Sequence, residues 1–288
     1  MIVNTEEATP GEIYRILSTA VAPRPICFAS TVDAEGNVNL SPYSFFNVMS
    51  VNPPVLGFAV TRRGSDNSQK DTLNNVEAVP EVVINVVEHR YVEQMSLTST
   101  QYAPGVNEFK KAALTQVPSE VVTPPRLGEA AISFECTVGE VIRFGEQAIA
   151  GNLVLAYVKR IHIADHILGE DGKVDSELLD LVGRMGGNHY VRATEGAKFI
   201  VAKPGKTISI GVDALPEAIR SSELLTGNEL GRLGGVERLP TAEEVKAMRD
   251  DPRVQYALLD GEEALWGLAK ELIANHEPLD ALKVLANG

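Results

Sequence analysis

The feature that most constrains this chain is a succession of short, β-branched apolar runs set close together and separated by turn-forming residues. RPICFASTV, the turn DAEGN and VNLSP, residues 24–42, make a hairpin pattern. PPVLGFAVT (53–61) and EVVINVV (81–87) follow as further strands. AAISFECTVGEVIRFGE (130–146) and NLVLAYVKRIHIADHIL (152–168) read as two long strands joined by a glycine-containing turn. The helices predicted between them are short. TPGEIYRIL has Thr9 at the N-cap and Pro10 at the first helical position. SQKDTLNNVEAV, YVEQMSLTS and VNEFKKAAL supply the others. This spacing predicts a mainly β chain, an antiparallel barrel carrying α elements, and not a doubly wound parallel sheet.

The character changes after residue 201. A barrel domain over 1–201 and a helix-rich C-terminal extension over 202–288 are therefore expected. ALPEAIRSSELL, TAEEVKAMRD and a closing GEEALWGLAKELIANHEPLDALKVLAN read as its helices. Residues 212–288 hold 15 acids and 8 bases, a net of −7, so more than half of the chain's −13 sits there. So acidic a protein is not expected to bind nucleic acid or an anionic membrane, although a local cluster of bases can still hold a phosphate. The start of the chain carries early acids and no apolar leader, no run approaches the length of a bilayer span, and a cytoplasmic location is expected. Cys27 and Cys136 lie in apolar strand runs and read as buried, reduced thiols.

Two segments carry chemistry. In TRRGSDNSQKDTLNN, Ser68 with Asp71 three residues on has the pattern of a capping box. Arg62 and Arg63 precede it, and Lys70 and Thr72 fall in the predicted first turn. Bases and hydroxyls at a helix start suit a phosphate, because free N–H groups and the positive end of the helix dipole point at it. An ordinary capped helix with solvated basic neighbours fits the same residues. In NLSPYSFFNVMSV, hydroxyls, a proline and three aromatics crowd into Ser41–Phe46. Pro42 interrupts ladder pairing and frees nearby backbone groups. Flat apolar faces beside in-plane hydrogen-bonding groups suit a planar, heteroatom-edged ligand. A half-buried edge strand with aromatics in the core fits equally well.

The ordered combination of A-P-R-P, S-T with D-x-x-G, N-x-S-P-Y-S-F-F, N-P-P and K-D-T-x-x-N resembles the flavin reductase-like, FMN-binding split-barrel proteins, which include the flavoredoxins. The resemblance covers about residues 10–200. It implies a six-stranded Greek-key split barrel, a homodimer and non-covalent FMN near the subunit interface. It also implies hydride transfer from NADH or NADPH to flavin and onward to an acceptor, which includes a monooxygenase or other redox partner protein. A non-catalytic, flavoredoxin-like electron carrier is the alternative. Carried over by position, Ser30 and Thr31 match a hydroxyl pair near the flavin, and Asn39, Ser41, Pro42, Tyr43, Ser44, Phe45 and Phe46 match the flavin-edge segment. Lys70, Asp71 and Thr72, with Arg62 upstream, match the phosphate side, and Arg24 matches the arginine between prolines. LVGRMGGNHYVR resembles a G-R-x-G-G-x-x-Y segment and brings Tyr190 and His189 toward the ring, His189 as the catalytic candidate. The C-terminal extension lies outside the pattern.

Other signals fail on spacing. KPGKT at 203–207 would need glycine where Ile200 stands to end a P-loop. No G-x-G-x-x-G marks a dinucleotide-binding unit. His162 and His166 fall in a strand-like run with no third ligand, so no metal is expected.

Overall fold

The computed structural model describes residues 1–201, 205 and 207–287; most of the KPGKT stretch lies outside the described residues. The chain divides into two compact units, Met1–Phe199 and Ile200–Gly288.

The first unit opens with α1 (Pro10–Ala20), whose Thr9 hydroxyl accepts from the Glu12 N–H while the Glu12 carboxylate accepts from the Thr9 N–H. Strands β1 (Cys27–Val32), β2 (Val38–Tyr43), β3 (Phe46–Val51) and β4 (Pro54–Thr61) follow, then α2 (Asp71–Ala78) and β5 (Glu81–Asn85). A long connection carries α3 (Val92–Leu97), α4 (Glu108–Lys111) and the small strand pair β6 (Gln116–Val117) and β7 (Arg126–Leu127). The long β8 (Ile132–Arg143) and β9 (Gly151–Ile163) come next, and the hairpin β10 (Val182–Arg184) and β11 (Tyr190–Arg192) closes the unit.

Seven strands form one antiparallel sheet in the order β2-β1-β5-β8-β9-β4-β3. β2 and β3 are its two edges, yet only Ser44 and Phe45 separate them in the chain. Three residue steps reach at most about 11 Å. The edges therefore come together and the sheet curls into a barrel, while no ladder joins β2 to β3. This is the split barrel. β3 is a strand that the sequence pattern did not separate from β4, because none of its residues is fully buried.

Strand alternation sorts the core. Cys27, Ala29 and Tyr43 point into the barrel with Phe58, Val82 and Val154, and α2 adds Leu73 and Val76. Phe28 and Leu40 point the other way, under Tyr91, Met95 and Phe109 of the long connection. Both cysteines are free and buried, and burial pushes the Cys136 thiol up to about 12.

The second unit is helical: α5 (Glu217–Arg220), α6 (Gly227–Gly234), α7 (Ala242–Met248), α8 (Pro252–Asp260), α9 (Glu262–Ala274) and α10 (Pro278–Leu285). Its own core holds Leu233, Val254, Leu272 and Leu282. Thr226 with Glu229, and Thr241 with Glu244, form capping boxes, and Asp251 caps α8 ahead of Pro252. The closing run, expected to be helical, forms two helices that part after Ala274, where His276 has φ 65 and Pro278 starts α10. Among the described residues no helix is long and apolar enough to cross a membrane.

Candidate functional site

The start of α2 differs from the expected capping box. The helix begins at Asp71 with Lys70 at the N-cap, and no side chain caps it. Ser68 instead donates its hydroxyl to Asp66 at 2.7 Å, two residues too early to reach the helix. The first N–H groups of α2 thus have no side-chain acceptor and point outward with the helix dipole. Lys70 has no carboxylate within ion-pair distance among the described residues. Its ammonium stands 5.4 Å from the Tyr43 ring centre. Burial, and then the Arg63 charge, hold its pKa below the usual lysine range. Arg63 lies alongside, donating to the Gln69 carbonyl at 2.6 Å and standing 3.9 Å from Asp71. A half-buried cation without a counter-ion, at an open helix start, calls for an anion.

These groups line a pocket of about 120 Å³ whose other walls are Asn39, Ser41, Pro42 and Tyr43 of β2, Thr72, the segment Thr98–Tyr102 after α3, and Glu108. That space suits a phosphate and the chain next to it. Tyr43 is buried, and its hydroxyl has no hydrogen-bond partner among the described residues. Burial pushes its pKa up to about 12; the Ser41 and Thr72 hydroxyls stand near enough to pull it back in part, without meeting hydrogen-bond geometry. The Tyr43 side chain lines the pocket, and its hydroxyl is a buried polar group in want of a partner. The orphan hydroxyl, the unpaired Lys70 and the uncapped helix together fit a cofactor with a phosphate tail.

A hydrogen-bonded chain sets the back wall. Glu108 is buried and accepts from the Leu40 N–H at 2.9 Å and from Asn39 Nδ2 at 3.1 Å. Asn39 Oδ1 in turn accepts from the Thr72 hydroxyl at 2.7 Å. Burial raises the Glu108 pKa, and the bonds from Leu40 and Asn39 offset part of that.

Other expected site residues lie elsewhere. Ser30 and Thr31 are neighbours on β1 and so face opposite ways. Thr31 shares the face of Asn39, its register partner, and accepts from Asn75 at 3.0 Å. Ser30 pairs with Leu40 on the other face and its buried hydroxyl has no partner among the described residues. Arg62 lines no part of the pocket. It braces its own loop, donating to the Asn67 side chain at 2.8 Å and to the Asn67 carbonyl at 2.5 Å, and its neighbour Arg63 takes the place expected for it. Arg24 is buried with every arm in use: it donates to the carbonyls of Ser18, Val21 and Met185 and to Ser44, and stacks over Phe45. It therefore fixes the Ser44–Phe45 turn against the end of α1. Phe45 is partly exposed and faces Tyr14, while Phe46 packs on the barrel core. Tyr190 is bonded to Arg184, which also stacks on its ring at 4.7 Å. His189 is exposed on the turn between β10 and β11, its Nδ1 3.4 Å from the Gly186 carbonyl oxygen. Arg24 links that hairpin to Ser44 through Met185, but His189 is outside the pocket.

Sequence reasoning missed Glu108 and the Thr98–Tyr102 wall. The hydroxyl-rich TSTQY was a usable signal, hidden by its place in a long connection.

Comparison with known proteins agrees with this architecture. The profile of the flavin reductase like domain matches residues 19–185. An uncharacterized protein of Halalkalibacterium halodurans is 38% identical over 192 residues, covering 66% of this chain and 91% of that protein. The crystal structure of nitrilotriacetate monooxygenase component B from Bacillus cereus is 32% identical, with a TM-score of 0.65 over 70% of this chain and 98% of that one. That of 2-nitrobenzoate 2-nitroreductase from Pseudomonas fluorescens is 27% identical, with a TM-score of 0.64 over 73% of this chain and all (100%) of that one. With the split barrel, the open start of α2 and a profile match over more than half its length, the chain belongs to the flavin reductase-like domain family.

Proposed function

We propose that the chain is an FMN-dependent oxidoreductase of the flavin reductase type, which takes a hydride from NADH or NADPH and passes the electrons to an acceptor. The observation that carries this reading is the unpaired Lys70 at the uncapped start of α2, in one pocket with Arg63 and the orphan Tyr43 hydroxyl. Lys70, Arg63 and the first N–H groups of α2 hold the phosphate. Ser41 and Tyr43 bind the chain beyond it, and the Ser44–Phe46 turn, held by Arg24, supports the ring. When bound, the flavin supplies the hydride-accepting centre. His189, exposed on its turn, is assigned to orienting the nicotinamide. Similarity to a monooxygenase component B supports a second redox protein as the acceptor. The exposed Val48, Met49 and Val51 on edge strand β3 support a homodimer.

The test is anaerobic. Purified protein is mixed with FMN, then with NADH or NADPH, and the yellow absorbance is followed. Rapid bleaching with either nicotinamide is expected. Bound flavin that stays yellow with both overturns the enzyme reading in favour of a carrier fed by another protein.

A further inference from the structure

Among the groups lining the pocket, the direction of one hydrogen-bonded chain follows from an ionised Glu108. The Leu40 N–H can only donate, so one oxygen of Glu108 is committed as its acceptor at 2.9 Å. An ionised carboxylate accepts and does not donate, so the Asn39 group facing the other oxygen at 3.1 Å is the amide NH2. The Asn39 oxygen is then turned to Thr72 and takes its only hydroxyl proton at 2.7 Å. Thr72 keeps lone pairs alone for anything in the pocket. Tyr43 and Ser41 line the same space, as do the donors Lys70 and Arg63 and the carboxylate Asp71.

We propose that Glu108 is a positioning residue that, through Asn39, fixes Thr72 as an acceptor, so that the pocket takes ligand hydroxyls on the Thr72–Tyr43 wall and an anionic oxygen only at Lys70 and Arg63. The ligand class is a phosphorylated sugar alcohol. This rests on the flavin reading, in which the ribityl chain supplies the hydroxyls and its terminal phosphate the anion. A deprotonated phosphate oxygen, which can only accept, meets like polarity at Thr72 and is turned toward the bases.

The chain can be reversed by one isosteric change. In Glu108→Gln the side-chain oxygen still accepts from Leu40, and the new NH2 faces Asn39. Asn39 turns over, donates to Thr72 and releases the Thr72 proton to the pocket. The probe is inorganic phosphate, with its dissociation constant read by titration calorimetry on the full chain. About a tenfold gain in phosphate affinity is expected for Glu108→Gln, the size of one added hydrogen bond to a charged group. The gain must persist in Glu108→Gln/Thr72→Ser, which keeps the hydroxyl, and vanish in Glu108→Gln/Thr72→Val, a coupling that loss of a negative charge alone does not produce. No gain, or a gain of equal size in the valine background, overturns the proposal. Circular dichroism melts of each variant show that the comparison is between folded proteins. FMN titrations run in parallel separate the two readings: a phosphate response with the expected coupling but no FMN binding leaves the relay standing and removes the flavin.

Discussion

Lys70 is the residue on which the site's electrostatics turn. Its ammonium is half-buried, without a counter-ion among the described residues, and its pKa is already lowered by burial. A phosphate restores the missing partner, whereas a flavin without phosphate does not. Lys70→Ala is therefore expected to weaken FMN by about tenfold or more, the worth of a hydrogen bond to a charged group, and riboflavin by much less. Fluorescence quenching titrations of both flavins check this, and equal losses remove the phosphate assignment. At this scale the sequence was legible where a residue's neighbours are its sequence neighbours. KDT and the hydroxyls of NLSPY could be placed on one site because each sits on a short element end. It was not legible where the partner is distant. Glu108 lies 69 residues from the Asn39 it orients, and nothing local marks it. Arg62 and Arg63 are indistinguishable by pattern, yet the fold sends Arg62 to Asn67, whose φ is 58, and Arg63 to the Gln69 carbonyl beside the pocket.

Capping decides several elements, and it fails at the one that matters most. α1, α6 and α7 each start with a threonine and a glutamate three residues on, and each pair closes as a box. These were readable as strings. The same logic misplaces the start of α2, because Ser68 lies two residues ahead of the N-cap and gives its hydroxyl to Asp66 instead. A helix start without a side-chain cap is thus the element-level origin of the anion site. At α7 the capping glutamate does double duty. Glu244 bonds Arg238 in a two-point contact and accepts from the Thr241 N–H, and the Arg238 bond first, then the cap, hold its pKa down at about 2. The sign follows from linkage: a carboxylate whose folded pKa lies below its ordinary 4.5 adds stability above pH 4.5 that is lost as pH falls toward 2. Trp266, the single tryptophan, sits on α9 in the same unit and reports it by fluorescence. Arg238→Ala should make thermal unfolding followed at Trp266 less sensitive to acid between those two values. An unchanged acid dependence would show that the pair contributes nothing. A core change in that unit is a harder blow: Leu272, fully buried, should cost about 2–5 kcal/mol when cut to alanine, read from the same signal.

Across the whole molecule, every group of the pocket belongs to Met1–Phe199, and the helical unit has its own capped helices and its own core. A fragment ending at residue 199 is therefore expected to fold and to bind FMN within about threefold of the full chain, as a unit with its own core should. Loss of binding, with the fragment still folded by circular dichroism, would give the second unit a part in the site. The barrel was legible in the sequence because its strands alternate at close spacing. The seam was not, since closure depends on which edges meet, and two residues, Ser44 and Phe45, carry the chain across it. That seam leaves β3 bonded to β4 on one side only, while β1 and β5 are flanked on both. Its amides should trade their protons for deuterium well before those of the inner strands. Whatever seats itself along that rim, a second copy of the chain or a redox partner, will slow this isotope clock over residues 46–51, so its arrival can be timed without touching the pocket at all.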